Sequence, residues 1–458
     1  MPVCSLLAPC QPGASTPHDG NLFLRGPQVP CRSERPDGYT GGTVRVRHSA
    51  RITPWWTGVV TWLLLIWVSV AGVAAAQPER VVAIGDIHGA VAQFRLLLET
   101  VGLTDSSQRW TGGRTTLVQT GDFMDRGAGV KAVLDLLMRL ETEAAAAGGR
   151  VVVLLGNHET MNLMANTRDT TPELLASFAT PRSETRREEA YEAYVALLAD
   201  RAPVLGPLAS DPLPQAEWMT AHPPGFFEYM DALGPDGTYG RWLRAKPVVA
   251  RVGDSILLHG GLHPTREPTD LEEINKGARR ELETYDRYMA QLVERGIILP
   301  FFTFEETTAA IQQELNYWLT LLAPEGPPAP NNTVPVDPKD NALIQTLVAL
   351  TRDVRTWSII EEDGPVWFRG FARWDDDEGL PQARSLTERY GVARIVVGHT
   401  IPATRLITPR FGNRVFLIDT GMLVGYYTGR PSALEIEGSR VTAVYLDRRE
   451  TLVDTPQP

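Results

Sequence analysis

The sequence predicts an α/β fold, and three observations carry that prediction. Apolar, strand-like runs alternate with helix-like stretches. Five of the apolar runs end in a short polar motif containing glycine, as functional loops do at the carboxyl edge of a sheet. The 458 residues are 43% hydrophobic and 22% charged, enough for one large core or two modest ones and unlike a disordered or fibrous chain.

In chain order, the first segment reads as a leader. Residues 1–43 are rich in Pro and Gly and lack apolar periodicity, while residues 52–78 carry no charge and follow Arg45, Arg47 and Arg51. The run 59–73 fits the apolar region of a signal peptide, and Ala74-Ala75-Ala76 fits the small-residue site that a signal peptidase cuts. Cleavage after Ala76 is therefore expected. The competing expectation is an uncleaved membrane anchor through residues 55–76, with Trp55, Trp56, Trp62 and Trp67 near the interfaces. In both cases the basic flank stays inside and the body is exported, periplasmic or secreted. A start of synthesis near Val44 or Val46 would give the leader an ordinary short basic end.

The body, residues 77–458, begins with RVVAIGDIHG and the helix-like AVAQFRLLLETVGL, then TTLVQTGDFMDRG and the helix-like VKAVLDLLMRLETEAAA. RVVVLLGNHE gives a third buried strand ending in a polar loop, and SILLHGGLHP and ARIVVGHTIP repeat the pattern. Two segments, about 164–242 and 266–366, interrupt these motifs. Both are expected to be helical insertions, through SETRREEAYEAYVALLAD in the first and ELETYDRYMAQLVERG and TTAAIQQELNYWLTLLA in the second. Residues 323–338 hold six prolines and read as a loop within one domain, because motifs lie on both sides of it. Asn331-Asn332-Thr333 fits a glycosylation sequon, relevant only in a eukaryotic secretory route.

Charge and cysteine usage narrow the chemistry. The net charge is −11, and removing the six arginines and three acids of residues 1–76 leaves 38 basic and 52 acidic side chains. That balance argues against nucleic acid as a partner. Cys4, Cys10 and Cys31 all precede residue 77, so the body has no disulfide, no cysteine zinc site and no thiol nucleophile. His, carboxylates, Asn and Arg remain.

Those residue types are concentrated in the five motifs, GDIHG at 85–89, GDFMDRG at 121–127, GNHE at 156–159, HGG at 259–261 and GHT at 398–400. Alone, each has a bland explanation as a turn or a structural histidine. Together, carboxylates, imidazoles and a carboxamide without thiolate are ligands for a divalent metal of intermediate hardness such as Mn, Fe or Zn. Six such residues suffice for two metals, and a water acidified by a bridged pair is a nucleophile for phosphorus.

In the order and spelling of these motifs the chain resembles the PPP-type phosphoprotein phosphatases of the calcineurin-like metallophosphoesterase superfamily, most nearly the bacterial Shewanella-like branch. The resemblance extends through WLRAKPVVARVGDSILLHGGLHP, GPVWFRG and the late IDTGM. It implies a calcineurin-like metallophosphoesterase β-sandwich flanked by helices, with the α/β body carrying helical insertions. It further implies that Asp86 and His88 bind a first metal, Asp122 bridges, and Asn157, His259 and His399 bind a second. His158 and Asp125 resemble the acid pair that protonates the leaving group, a step worth about 10²–10⁴-fold. Arg126 would clamp the substrate phosphate as a fork, and Arg369 in WFRG would be a second clamp.

The implied activity is dinuclear-metal hydrolysis of a phosphoprotein or phosphopeptide, on phosphotyrosine or phosphoserine/threonine, by direct attack of a metal-bridging hydroxide. GHTIP, with Ile401 where many phosphodiesterases have a second His, favours monoesters. The alternative is a dinucleoside polyphosphate hydrolase, which shares three of the motif spellings, and a reading from another class is a non-catalytic, metal-stabilised scaffold. Glu159 reads as supporting rather than catalytic, and His263 as structural. Asp375-Asp376-Asp377-Glu378 reads as a solvated loop, since a calcium loop spaces its acids at alternate positions. Phe226, Phe227, Tyr229, Tyr317 and Trp318 read as core.

Overall fold

A computed structural model describes residues 79–206, 211–266, 268, 270–323 and 336–454. The expected leader 1–76 with its expected cleavage site, the cysteines and the sequon match lie outside the described residues.

Eleven strands form two sheets among the described residues. The first contains β1 (Arg80–Ile84), β2 (Thr116–Gln119), β3 (Arg150–Val153), β9 (Ser432–Glu437), β10 (Arg440–Tyr445) and β11 (Arg449–Val453), in the order β11-β10-β9-β1-β2-β3. The second contains β4 (Val249–Val252), β5 (Ser255–Leu258), β6 (Arg394–Val397), β7 (Thr408–Arg410) and β8 (Val415–Leu417), in the order β4-β5-β6-β8-β7. The period-two pattern of each strand sorts its side chains between two cores. Val81, Ala83, Val118 and Val152 of one sheet meet Leu257, Val396 and Phe416 of the other between the sheets. Val82, Ile84, Leu117, Val151, Val153, Ile256, Leu258, Ile395 and Val397 point the other way, into the helix-covered core.

The covering helices are α1 (Val91–Thr100), α2 (Val130–Ala146) and α3 (Asn157–Leu163), followed by α4 (Pro172–Ala176), α5 (Ser183–Leu205), α6 (Gln215–Ala221), α7 (Phe226–Leu233) and α8 (Thr238–Arg244). Between β5 and β6 come α9 (Leu271–Glu294), α10 (Phe304–Leu321), α11 (Pro338–Arg352), a 3₁₀ turn (Val354–Thr356), α12 (Gly370–Arg373) and α13 (Asp376–Tyr390), and α14 (Val424–Tyr427) precedes β9. The two long helical segments pack on each other through a satellite core of Leu292, Ile298, Phe302, Ile311, Leu343 and Leu347, with Tyr194 and Leu197 of α5 against it. Across the same seam Arg201 of α5 pairs with the buried Glu314 of α10.

Two local expectations need correction. The third motif does not end in a loop, because Asn157 is the first residue of α3 and the Gly156–Glu159 stretch caps that helix. The acid run is not a loop either. Asp375 accepts a hydrogen bond from Glu378 N as the N-cap of α13, and Asp376, Asp377 and Glu378 occupy its first turn, where the helix dipole favours negative charge. Phe226, Phe227 and Tyr229 are buried as expected.

Candidate active site

Six strands deliver the site. β1, β2 and β3 are parallel neighbours in one sheet, and β5, β6 and β8 in the other. The segments leaving their carboxyl ends carry Asp86 and His88, Asp122, Asn157 and His158, His259, His399 and Asp419. Eight of the ten residues singled out from sequence, Asp86, His88, Asp122, Arg126, Asn157, His158, Arg369 and His399, line one cavity of about 310 Å³. His259 and Asp125 stand behind it: His259 Nε2 lies 3.2 Å from Asp122 Oδ2, and Asp125 Oδ2 lies 2.6 Å from His158 Nδ1.

The main chain around these residues is tightly constrained. Gly121 has φ 96°, and a β-carbon on it would collide with the backbone of Gly156, so the two glycines let the second motif touch the start of α3. Glu159 ties the same segments together. Its carboxylate accepts N–H bonds from Asp122 (2.7 Å), Phe123 (3.0 Å), Met124 (3.0 Å) and Gly156 (2.8 Å). This is the supporting role expected of it, since its oxygens face amides rather than the cavity.

Hydrogen bonding decides which imidazole nitrogens face inward. His88 Nδ1 donates to Met124 O at 2.8 Å, His259 Nδ1 to Thr120 O at 3.1 Å and His399 Nε2 to Trp367 O at 3.1 Å. In each case the other nitrogen keeps its lone pair for the site, the arrangement seen in metal-binding histidines. Burial holds His88 at about 3 and His399 well below the ordinary imidazole value, so both stay neutral.

His158 differs. Burial opposes its charged form, but the Asp122 charge and the Asp125 hydrogen bond outweigh burial and raise its pKa. By distance alone His158 groups with His88 and Asp122 as a metal ligand, just as His259 and His399 group with Asp122. What sets His158 apart is the Asp125 carboxylate on its Nδ1, a partner that favours carrying a proton on the ring, where the other three histidines have a main-chain carbonyl.

Asp122 belongs to both groups. Its Oδ1 accepts His158 N at 3.0 Å, while its Oδ2 lies 3.8 Å from the Nε2 of both His88 and His158 and 3.2 Å from that of His259. Burial disfavours its charge, yet His259 and His158 prevail and hold its pKa well below the usual range. Asn157 Oδ1 is 3.0 Å from His259 Nε2, which in turn is 3.0 Å from His399 Nδ1. Lone-pair atoms at such spacing repel unless a proton or cation lies among them, so the donor set fits divalent metal.

The other end of the site supports the same conclusion. Asp86 Oδ1 accepts His399 N at 3.0 Å. Burial, then the charges of Asp419 and Asp122, push the Asp86 pKa well above normal, and burial raises that of Asp419 to about 6. Three crowded carboxylates are what a cation would relieve. Arg126 already shows that a positive group is accepted, for its Nη1 lies 2.6 Å from His88 Nε2 and its Nη2 3.0 Å from His158 Nε2. Arg369 anchors one guanidinium nitrogen on His399 O (3.1 Å) and Thr400 Oγ1 (2.9 Å) and lines the cavity.

Sequence reasoning passed over two charged cavity residues. Asp419 follows the apolar run VFLI just as Asp86 and Asp122 follow theirs, and that repeated pattern was the available signal. Arg168, paired with Asp169 at 2.8 Å, reaches the rim from the turn after α3 and has no local signature. His263 stays out of the cavity, with its ring 5.7 Å from Phe368.

Residues 79–303 match the calcineurin-like phosphoesterase family. The chain is 37% identical over 205 residues to Shewanella-like protein phosphatase 2 of Arabidopsis thaliana, an alignment spanning 44% of this chain but about half (51%) of that protein's length. It is 22% identical over 374 residues to Shewanella-like protein phosphatase 1 of Plasmodium berghei, covering 80% of this chain and 74% of that protein. Among solved structures, the cold-active protein-tyrosine phosphatase of a psychrophilic Shewanella species superposes with a TM-score of 0.50 at 22% identity, over 82% of this chain and 80% of the other.

Proposed function

We propose that this chain, whose residues 79–303 match the calcineurin-like phosphoesterase family, is a dinuclear-metal phosphomonoesterase acting on phosphoproteins. The observation that carries the reading is Asp122, whose Oδ2 is shared by two buried donor groups beside the His158–Asp125 pair. Asp86, His88 and Asp122 would hold one divalent ion, and Asp122, Asn157, His259 and His399 the other, with Mn, Fe or Zn the metals suited to these donors. When bound, such a pair supplies Lewis acidity toward phosphoryl oxygens and an acidified water.

The side chains supply the rest. Arg126 and Arg369 face the cavity from opposite motifs and match two oxygens of a phosphate monoester. In this structure Arg126 donates to His158 Nε2, so that nitrogen accepts. A phosphate that draws the guanidinium away frees Nε2 to carry a proton, which it delivers to the departing oxygen. Tyr427 and Trp367 wall the cavity, and with the tyrosine in the name of the Shewanella phosphatase they support a lean toward phosphotyrosine over phosphoserine or phosphothreonine. The two sequence relatives are named as protein phosphatases without a residue.

The test uses the full chain with Mn²⁺ and follows phosphate release from phosphotyrosine and phosphoserine/threonine peptides, with diadenosine tetraphosphate alongside and Asp122→Asn as the blank. Peptide turnover that the blank lacks is expected. Cleavage of the dinucleotide alone would overturn the substrate class. The uncharged run 52–78 supports an exported location, checked by the N-terminal sequence of the mature protein from a periplasmic or medium fraction.

A further inference from the structure

We propose that Asn162 and Tyr229 form a positioning pair that holds Asp125, and through it His158, in the orientation needed for proton delivery. The inference rests on the reading of His158 as the leaving-group acid.

Asn162, the sixth residue of α3, donates through Nδ2 to Asp125 Oδ2 at 2.9 Å and to His158 O at 2.8 Å. Its Oδ1 accepts the Tyr229 hydroxyl at 2.6 Å. The chain of contacts is buried throughout, with Asp125 and Tyr229 0%, His158 2% and Asn162 4% exposed. Water is therefore not available to replace a lost partner.

The carboxylate of Asp125 is held from one side only. Oδ2 takes the bonds from both His158 Nδ1 and Asn162 Nδ2, whereas the buried Oδ1 has no hydrogen-bond partner among the described residues. Without the Asn162 amide, nothing but His158 itself would oppose rotation of that carboxylate, and the imidazole would lose its fixed orientation. Asp125 Oδ2 and His158 O, which can only accept, turn Nδ2 toward the carboxylate, and the Tyr229 hydroxyl holds the amide there by donating to Oδ1. The reversed amide would set one oxygen against another. Burial, with the charges of Asp125 and Glu159, holds the Tyr229 phenol well above its ordinary pKa, so it remains a donor. Because Tyr229 lies on α7, this helical segment reaches the catalytic pair through one amide.

The step at issue breaks the ester P–O bond. The departing oxygen keeps the bonding electron pair and takes a proton from His158 Nε2, while water provides the oxygen of the new P–O bond. Proton delivery matters most when the leaving alcohol is a poor one. The experiment is steady-state kinetics of the full-length, Mn²⁺-loaded protein on dinitrophenyl, nitrophenyl and unsubstituted phenyl phosphate, for wild type, His158→Ala, Asn162→Ala and Tyr229→Phe.

Asn162→Ala is expected to lower kcat on phenyl phosphate by about 10–100-fold, with a far smaller loss on dinitrophenyl phosphate and little change in KM. Tyr229→Phe should give the same slope at smaller amplitude, and it keeps the test available if Asn162→Ala does not fold. Equal losses on all three esters, beside a leaving-group slope in His158→Ala, would overturn the positioning role while sparing the acid reading. No slope in His158→Ala would overturn both.

Discussion

Five of the ten candidate site residues, His88, Asp122, Asp125, Arg126 and His399, hold φ between 44° and 66°. For a residue with a β-carbon that region costs on the order of 1–2 kcal/mol, so the site stores strain that the surrounding fold must offset. A direct consequence is that Arg126→Gly should be more stable than Arg126→Ala by about 1 kcal/mol in urea unfolding, though both lose the guanidinium. Equal midpoints for the two would refute the strain account. Glu159 makes a second prediction at this scale. Its four amide contacts fix the loop that presents Asp122, and Glu159→Gln replaces an acceptor oxygen with a donor facing other donors. Metal affinity by titration calorimetry is expected to fall about 10–100-fold.

Helices and strands carry their own tests. Glu314 on α10 is buried against Arg201 of α5, its side chain only 4% exposed. Arg201→Met strands that carboxylate and should cost about 3 kcal/mol in denaturant unfolding, whereas adding Glu314→Leu should restore most of the loss. A single variant as stable as wild type would show that the seam does not depend on the pair. On the first sheet, Glu435 of β9 receives Arg80 of β1 (Nε, 2.9 Å) and Arg449 of β11. Burial raises its pKa, but the two guanidiniums outweigh burial and lower it. A lowered folded-state pKa means the stabilisation is complete above the unfolded value of about 4.3 and is lost as pH falls through the folded value. The stability gap between wild type and Glu435→Gln should therefore be widest near neutral pH and close in acid. Elements with their own periodicity, such as β1, α2 and α5, were legible in the sequence because the pattern that buries them is local. The cap of α13 was not, since four consecutive acids read alike in a solvated loop and in a first helical turn until the following residues declare the helix.

For the molecule as a whole, the two sheets meet at the site, and the crowded carboxylates of Asp86, Asp122 and Asp419 oppose that meeting when no cation balances them. Metal loading should raise Tm, by the equivalent of about 2.7 kcal/mol at a hundredfold excess over Kd, and chelation should reverse the gain. A Tm indifferent to chelator would mean that the donor set does not hold metal. Most of the site was legible because each motif carries a glycine and a ligand-type residue at the end of an apolar run. Asn162, Tyr229 and Arg168 were not, because their part depends on contacts such as that between positions 162 and 229, which no local pattern encodes. The division of the ligands between two sheets also orders events during synthesis. Asp86, His88, Asp122 and Asn157 leave the ribosome early, but His399 follows only after both long helical segments have been made. At about 5–20 residues per second that interval is roughly ten to fifty seconds. Throughout it the nascent chain carries only part of the donor set, so a metal ion held by the complete set would be bound only in the last stage of its biogenesis, after translation has passed β6.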